Sequence, residues 1–437
     1  MTGLLECVAG DQGQVAPARP ELAGLVHWAG AATQPIHRWF RYREGFSPAL
    51  ITRLGLGYRI LDPFCGSGSI MVGAAQQGRA SVGIDVNPLA AFVSRVKLSP
   101  LGDSDVVAAT GFLGRFEAAA AAMEPWPAPA LRIASKVFEP RILDAVLRLR
   151  ALIEQRATSA APRDFLLLAW LSILQEVGSF FKEGNGIKYR NRKRRKDGYV
   201  ARPDGQWQLE RFGADQEGFV FAAFRAKLTE MLADVPVWQR GTWSGQRIIE
   251  GDALEETGRL GAGSFDSVLF SPPYANRFDY FESQKVELWF GGFVDSYEAL
   301  GALRKQSLRS HLGAALDSAV VDLPDVEALI ARIDPASYAV RMRVPALIRG
   351  YFSDMATILR RCRHLLVPGG QCCVVVGNSA YGGVIIPTDQ IIARLGLDAG
   401  FGEAAVVPVR HLTVAPQQRN ELRGREGLMR ESIVVLS

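Results

Sequence analysis

Short apolar runs, most of them cut off by an acid, a glycine or a proline, recur in two separated parts of the chain. The first part holds Arg59-Ile-Leu-Asp62 and Ala80-Ser-Val-Gly-Ile-Asp85. The second holds residues 247–252, Phe265–Phe270, 371–378, 406–409 and 432–436. Runs of strand length without polar alternation predict strands buried on both faces. Helical stretches fall between them. One starts after a glycine loop at 66–68, one covers 88–97 with Pro88 in its first turn, and others cover 351–366 and 388–399, the last stopped by Gly400. Strand and helix in alternation predict an α/β fold with a doubly wound sheet.

Residues 99–244 interrupt this alternation and are too long for a loop. Ile142, Leu143, Val146, Leu149, Leu152 and Ile153 mark one face of a helix that follows Pro140. Residues 165–181 are apolar nearly all round and predict a buried helix, and 218–235 form a further amphipathic candidate. The chain therefore divides into a loose or covering segment at 1–35, a sheet domain at 36–98 and 245–437, and an inserted helical module at 99–244. A helical elaboration covers 275–345. No internal repeat is present.

Two stretches carry candidate chemistry. In Asp62-Pro63-Phe64-Cys65-Gly66-Ser-Gly68, the glycines permit tight turning and close backbone approach to a ligand, and the next helix offers its N-terminus. Asp85 ends the following strand, where nucleotide-binding folds contact ribose hydroxyls. Met71 stands where a dinucleotide fingerprint has its third glycine, which argues against a dinucleotide. The second stretch is Ser271-Pro272-Pro273-Tyr274, directly after the run Phe265–Phe270. Two prolines stiffen the exit from the strand. They hold the Ser271 hydroxyl and the Pro272 carbonyl as acceptors, with an aromatic ring just beyond.

Together these stretches resemble the amino-group DNA methyltransferases, which use S-adenosylmethionine to make N4-methylcytosine or N6-methyladenine. The segment 41–48, Gly83-Ile-Asp85-Val-Asn-Pro88, Gly251-Asp252 and Met429-Arg430-Glu431 resemble further pieces of the same family. The resemblance implies a Rossmann-like, mostly parallel sheet whose last strand is antiparallel. It implies cofactor contacts from Phe46, Ser47, Pro48, Asp62, Pro63, Phe64, Gly66, Gly68, Asp85 and Asp252. Ser271 and Pro272 would then take the hydrogens of the target amine, Pro273 would keep the turn rigid, and Tyr274 would stack on a flipped base. Serine at 271 tilts the expected target towards cytosine N4, with adenine N6 as the rival. An RNA or protein methyltransferase and a non-catalytic DNA-binding subunit are further alternatives. A cognate restriction or defence system is a compatible partner.

Charge adds one feature. The net charge of +5 is modest, yet seven of the nine residues from 188 to 196 are Lys or Arg. Such a run is often only a solvated face, but here Lys188, Arg190, Arg192, Lys193, Arg194, Arg195 and Lys196 are interleaved with Tyr189 and Asn191, which favours phosphate contact with DNA, most simply duplex. Arg304, Lys305, Arg309 and His311 are further phosphate candidates. Five cysteines without CxxC spacing indicate a reducing compartment, and five scattered histidines form no metal-ligand pattern. With neither a signal peptide nor a membrane-length apolar run, the protein is expected to be soluble and cytoplasmic.

Overall fold

The computed structural model describes residues 15–27, 33–42, 45–157, 159–184, 186–195, 198–201, 206–414 and 418–437. The 1–35 segment lies largely outside them. Seven strands form the central sheet: β1 (Arg59–Asp62), β2 (Ala80–Asp85), β3 (Gln246–Glu250), β4 (Phe265–Phe270), β5 (Leu366–Gly377), β6 (Ala404–His411) and β7 (Arg430–Leu436). Their spatial order is β6-β7-β5-β4-β1-β2-β3. The run β5-β4-β1-β2-β3 is parallel, and β7 is antiparallel to both its neighbours. This is the mostly parallel, Rossmann-like sheet expected, with the reversed strand next to the edge.

The apolar runs are continuous because both faces are covered. Leu61, Val268, Phe270, Cys372, Val374 and Val434 face one core, built against helix α7 (Val344–Leu365) and helix α8 (Thr388–Asp398). Ile60, Leu269, Cys373, Val375 and Val435 face the other, against Leu50, Ile51 and Leu54. Neighbouring residues thus enter opposite cores, as strand geometry requires.

Between β1 and β2 runs α1 (Ser69–Gln76), and after β2 comes α2 (Pro88–Leu98). The insertion then supplies α3 (Asp103–Ala121), α4 (Pro140–Arg156), α5 (Ala160–Val177) and α6 (Gln216–Ala233). Leu89, Phe92, Val93 and Val96 of α2 belong to the same apolar cluster as these helices, so the module shares one core with the sheet domain. The insertion is not wholly helical. Phe180–Glu183 pairs with Gly186–Tyr189, and Arg192–Arg195 pairs with Gly198–Ala201, so the basic run lies on two hairpins rather than on a loop. Alternation in Ile187-Lys188-Tyr189 is a period-2 signal in the first.

Asp234, after α6, ties the segment before β1 to this module. Its carboxylate accepts the Ile36 N–H at 2.9 Å and the Trp39 indole N–H at 2.9 Å, and it pairs with Arg38. Ile36 has φ of 69°, a left-handed value that costs a β-branched residue free energy and persists only when its surroundings impose it. Trp39 in turn packs edge-on against Trp238 and Phe165, at centroid distances of 4.8 and 5.4 Å. Replacing Asp234 by Ala strands these buried donors. It should destabilise the protein by about 3 kcal/mol, with Asn less damaging. A denaturant midpoint unchanged in the Ala variant would refute this account.

Candidate active site

Asp62 closes β1, and its Oδ1 accepts the Phe64 N–H at 3.0 Å, which shapes the turn into the glycine loop. Gly66 and Gly68 adopt φ of 52° and 74°. Space is as restrictive as backbone angle: a Cβ on Gly66 would lie 2.8 Å from the Tyr42 ring, and one on Gly68 2.8 Å from Ser94 Oγ. Asp85 is stitched to the loop, since its two oxygens accept the Gly66 and Asn87 N–H groups, each at 2.8 Å. Helix α2 braces the loop from behind. Ser94 Oγ donates to the Gly66 carbonyl at 2.8 Å, and the buried Lys97 ammonium donates to the Ser67 carbonyl at 3.1 Å. Burial pushes the Lys97 amine down to about 7.

The Ser-Pro-Pro-Tyr turn leaves β4 at the same end of the sheet. Tyr274 donates its hydroxyl to Glu431 Oε1 at 2.7 Å, and the same carboxylate pairs with Arg410. Burial and the Glu431 charge push the Tyr274 phenol well above its usual range. A Cβ on Gly377 would lie 2.9 Å from the Tyr274 ring, so only glycine leaves room there. Beyond the turn, Tyr381 donates its hydroxyl to the Ala275 carbonyl at 2.6 Å. Asn87, the N-cap of α2, donates its side-chain amide to Gln284 at 2.7 Å and so connects the β2 loop with the chain after the turn.

One cavity of about 780 Å³ joins the two loops. Pro63, Phe64, Gly66, Asp85 and Asp252 line one half, and Ser271, Pro272, Pro273 and Tyr274 line the other. The remaining predicted cofactor residues stand behind the wall. Phe46 is buried with Leu22 and Leu50, Ser47 donates its N–H to the Leu25 carbonyl, and Pro48 packs where a Cβ on Gly73 would be. Asp62 and Gly68 shape the loop without lining the cavity.

None of the described residues of the basic run lines this cavity. Lys188 is on the first hairpin and Arg192 opens the second. Arg190 instead folds back, donating to the Phe180 carbonyl at 2.7 Å with its guanidinium over the Phe181 ring. Lys193, Arg194 and Arg195 continue the strand, and Lys196 lies outside the described residues. Two other phosphate candidates, Arg309 and His311, are buried. Arg309 pairs with Asp354, and the half-buried Arg304 pairs with Asp279 at 2.5 Å beside His311. His311 accepts the Gly313 N–H at Nδ1, which leaves its Nε2 proton for Ser307, and burial lowers its pKa. Arg309 and His311 are therefore structural groups and not surface cations. Sequence reasoning also passed over Arg410, Tyr381 and the Glu431 carboxylate as cavity residues. Strand pairing at long range brings them in: Arg410 lies opposite Glu431 on β6 and β7, and Tyr381 stands on the hairpin of Ser379–Tyr381 with Val384–Ile386.

Burial pushes the Asp62 carboxyl up to about 8, with Asp85 adding to the effect, while burial takes Asp85 itself and Asp252 to about 6. A cavity flanked by three such acids is suited to a cationic ligand, which would favour their ionised forms.

Relatives agree with the motifs. The chain is 25% identical over 454 residues to the Type II methyltransferase M.BsoBI of Geobacillus stearothermophilus, an alignment covering 94% of this chain and 87% of that protein. It is 23% identical over 409 residues to the Type II methyltransferase M.AvaI, both from Nostoc sp. and from Anabaena variabilis, covering 86% of this chain and 81% of those proteins. This chain is related to Type II methyltransferases. No protein-family model and no solved structure matches it. A methyltransferase relative carries a resemblance first read from Asp62–Gly68 and Ser271–Tyr274 through most of the chain's length. Among the described residues no helix is long and apolar enough to cross a membrane, and no group of His, Cys, Asp and Glu is placed to hold a metal ion.

The buried Asp62 makes a signed pH prediction. Its folded pKa is raised, so the folded state holds a proton more tightly than the unfolded state does. That contribution is full below the unfolded value near 4 and is lost as pH rises through about 8. Asp62→Asn cannot ionise and can still accept the Phe64 N–H. Relative to wild type, it should therefore gain stability as pH rises from about 4 to about 8, by up to about 1.4 kcal/mol per pH unit. Urea melts of the ligand-free proteins across that range check this, and a constant difference would count against it.

Proposed function

We propose that this protein is a DNA methyltransferase that transfers a methyl group from S-adenosylmethionine to the exocyclic N4 amine of a flipped cytosine. The observation that carries the reading is the single cavity shared by the glycine loop with Asp85 and Asp252 and by Ser271–Tyr274. A donor in one half and an amine in the other would lie within one enclosure. The close packing at Gly66 and the buried acids fit a ligand that combines ribose hydroxyls with positive charge. When bound, S-adenosylmethionine supplies an electrophilic methyl on a sulfonium.

The rest is done by the chain. A base amine is a poor nucleophile because its lone pair is delocalised into the ring. The Ser271 hydroxyl and the Pro272 carbonyl accept its two hydrogens and favour a pyramidal nitrogen, which is binding to the transition-state geometry. Tyr274, its hydroxyl held by Glu431, offers its ring to the extruded base and offsets part of the cost of unstacking. Cys65 is buried with its thiol pushed well up, consistent with direct transfer that uses no cysteine nucleophile.

DNA enters the proposal through residues 99–244 as a target-recognition module. The cations Lys188, Arg192, Lys193, Arg194, Arg195 and Lys196 track the phosphates, and Gly184, in the turn of the first hairpin, lines the cavity. A modification enzyme of this kind would be partnered by a restriction or defence nuclease. The protein acts on DNA wherever the chromosome lies, in the cytoplasm of a cell without a nucleus.

Nucleoside mass spectrometry of DNA from an expressing host should reveal N4-methylcytosine. N6-methyladenine in its place would overturn the base assignment and leave the transfer mechanism standing. Ser271→Ala should retain cofactor affinity while losing kcat by roughly 2–4 kcal/mol, because it removes an acceptor used most in the transition state. A full rate in that variant would refute the mechanism. Neutralising Arg192, Lys193, Arg194 and Arg195 together should lower DNA affinity and flatten its salt dependence by about 0.9 for each phosphate no longer neutralised. An unchanged slope would reduce the hairpin to a solvated surface.

A further inference from the structure

The target half of the cavity contains a cation that the transfer mechanism does not use. Arg277 lines the cavity, three residues beyond Tyr274. Its guanidinium makes no hydrogen bond or ion pair with any described residue, and its Nε is closed to solvent without a partner. A donor buried without a partner costs free energy unless something else satisfies it.

The chain nevertheless holds Arg277 there against its own preference. Its φ is 67°, a left-handed value that a long side chain rarely adopts. Backbone hydrogen bonds impose it: the Arg277 N–H donates to the Ser310 carbonyl at 3.1 Å, and the preceding Asn276 N–H donates to the Tyr274 carbonyl at 2.7 Å. The guanidinium lies over the Tyr381 ring, 5.7 Å from its centroid, and Tyr381 is anchored to the Ala275 carbonyl. Strain, an aromatic platform and unpaired donors together mark a preorganised fork awaiting acceptors.

We infer that Arg277 reads the flipped base, donating to the carbonyl oxygen and adjacent ring nitrogen of cytosine while Ser271 and Pro272 hold its amine. The inference rests on the cytosine reading proposed above. It adds a source of discrimination to it, since adenine presents a C–H where cytosine presents that carbonyl. A phosphate is the less favoured ligand, because Arg277 lines the same cavity as Ser271 and Pro272, where the base and not its solvated backbone would lie.

The test uses the full-length enzyme and a duplex carrying the sequence it methylates in plasmid DNA. The target is either cytosine or a 2-aminopyridine C-nucleoside, which keeps the amine and the neighbouring ring nitrogen but lacks the carbonyl. Arg277→Gly removes the side chain and suits the left-handed backbone. It should lose about 10- to 100-fold in kcat/KM on the cytosine duplex and should discriminate the two duplexes that much less than wild type does. Equal discrimination by both proteins overturns the inference. So does a variant whose only change is a salt slope lower by about one, which would mean that Arg277 binds a phosphate. If the glycine variant fails to fold, Arg277→Lys is put through the same comparison, and undiminished discrimination there overturns the inference as well. The product formed by wild type on plasmid DNA is read first and separately. N6-methyladenine would refute the cytosine reading itself and Arg277's role with it, whereas N4-methylcytosine with equal discrimination refutes only Arg277.

Discussion

The pairing of β1 with β4 is the constraint on which the rest of the site depends. Ile60 lies opposite Ser267 and Leu61 opposite Val268, so the two strands run parallel and release their loops at the same end. Chain order places β4 far from β1, yet this pairing is where strand order reverses, and an open α/β sheet presents a crevice at such a switch point. Asp266 helps set the register, accepting the Arg59 N–H at 2.8 Å and pairing with its guanidinium at 2.9 Å. Ser267 accepts the Gly57 N–H at 2.8 Å. A slip of one residue would turn Leu61 and Val268 out of their core and separate the glycine loop from Ser271.

Once the loops are adjacent, their shapes are fixed from behind. Backbone carbonyls of Gly66 and Ser67 are held by Ser94 and Lys97 of α2, while the loop amide of Gly66 is held by Asp85. On the other side the Tyr274 hydroxyl is held by Glu431 and the Ala275 carbonyl by Tyr381. The cavity wall is therefore supported by buried polar groups, whose low-dielectric surroundings strengthen each hydrogen bond and make each unpaired group costly. The same burial raises the carboxyls of Asp62, in the strand end beneath the loop, and of Asp85, in the cavity wall.

The inserted module is bound to this scaffold through shared core and not through a linker. Trp39, Trp238 and Phe165 pack together across three separate parts of the chain, and Asp234 holds the strained Ile36 in place. Two hairpins leave this helical base. The first brings Gly184 to the cavity, and Arg190 reinforces its stem by folding over Phe181. Sequence alone treats Arg190 as one cation among seven. In the folded chain, burial lowers its pKa and its donors are spent on backbone carbonyls.

The sequence by itself determined what local chemistry determines. Apolar runs marked β1, β2 and β4, the first two ending in an acid and the third in a proline turn, because a strand buried on both faces has no polar positions to spare. Glycines at 66 and 68 and the paired prolines at 272 and 273 marked the loops, because few other residues adopt those backbones. Apolar patterning marked the helices at Pro140–Arg156, Ala160–Val177 and Gln216–Ala233 in the insertion and missed the one at Asp103–Ala121. Only tertiary structure decided which distant strands became neighbours, and so which side chains share the cavity. Glu431, Arg410 and Tyr381 arrive there through β5–β7 pairing and a late hairpin, arrangements with no signature in any short window. Arg309 and His311 looked like surface groups by residue type and proved buried, because Asp354 compensates Arg309 from elsewhere in the chain and Ser307 and the Gly313 N–H satisfy the neutral His311 ring. Partners at long sequence separation decide whether a charged residue is solvated, paired or left waiting for a ligand, and no reading of neighbours can supply them.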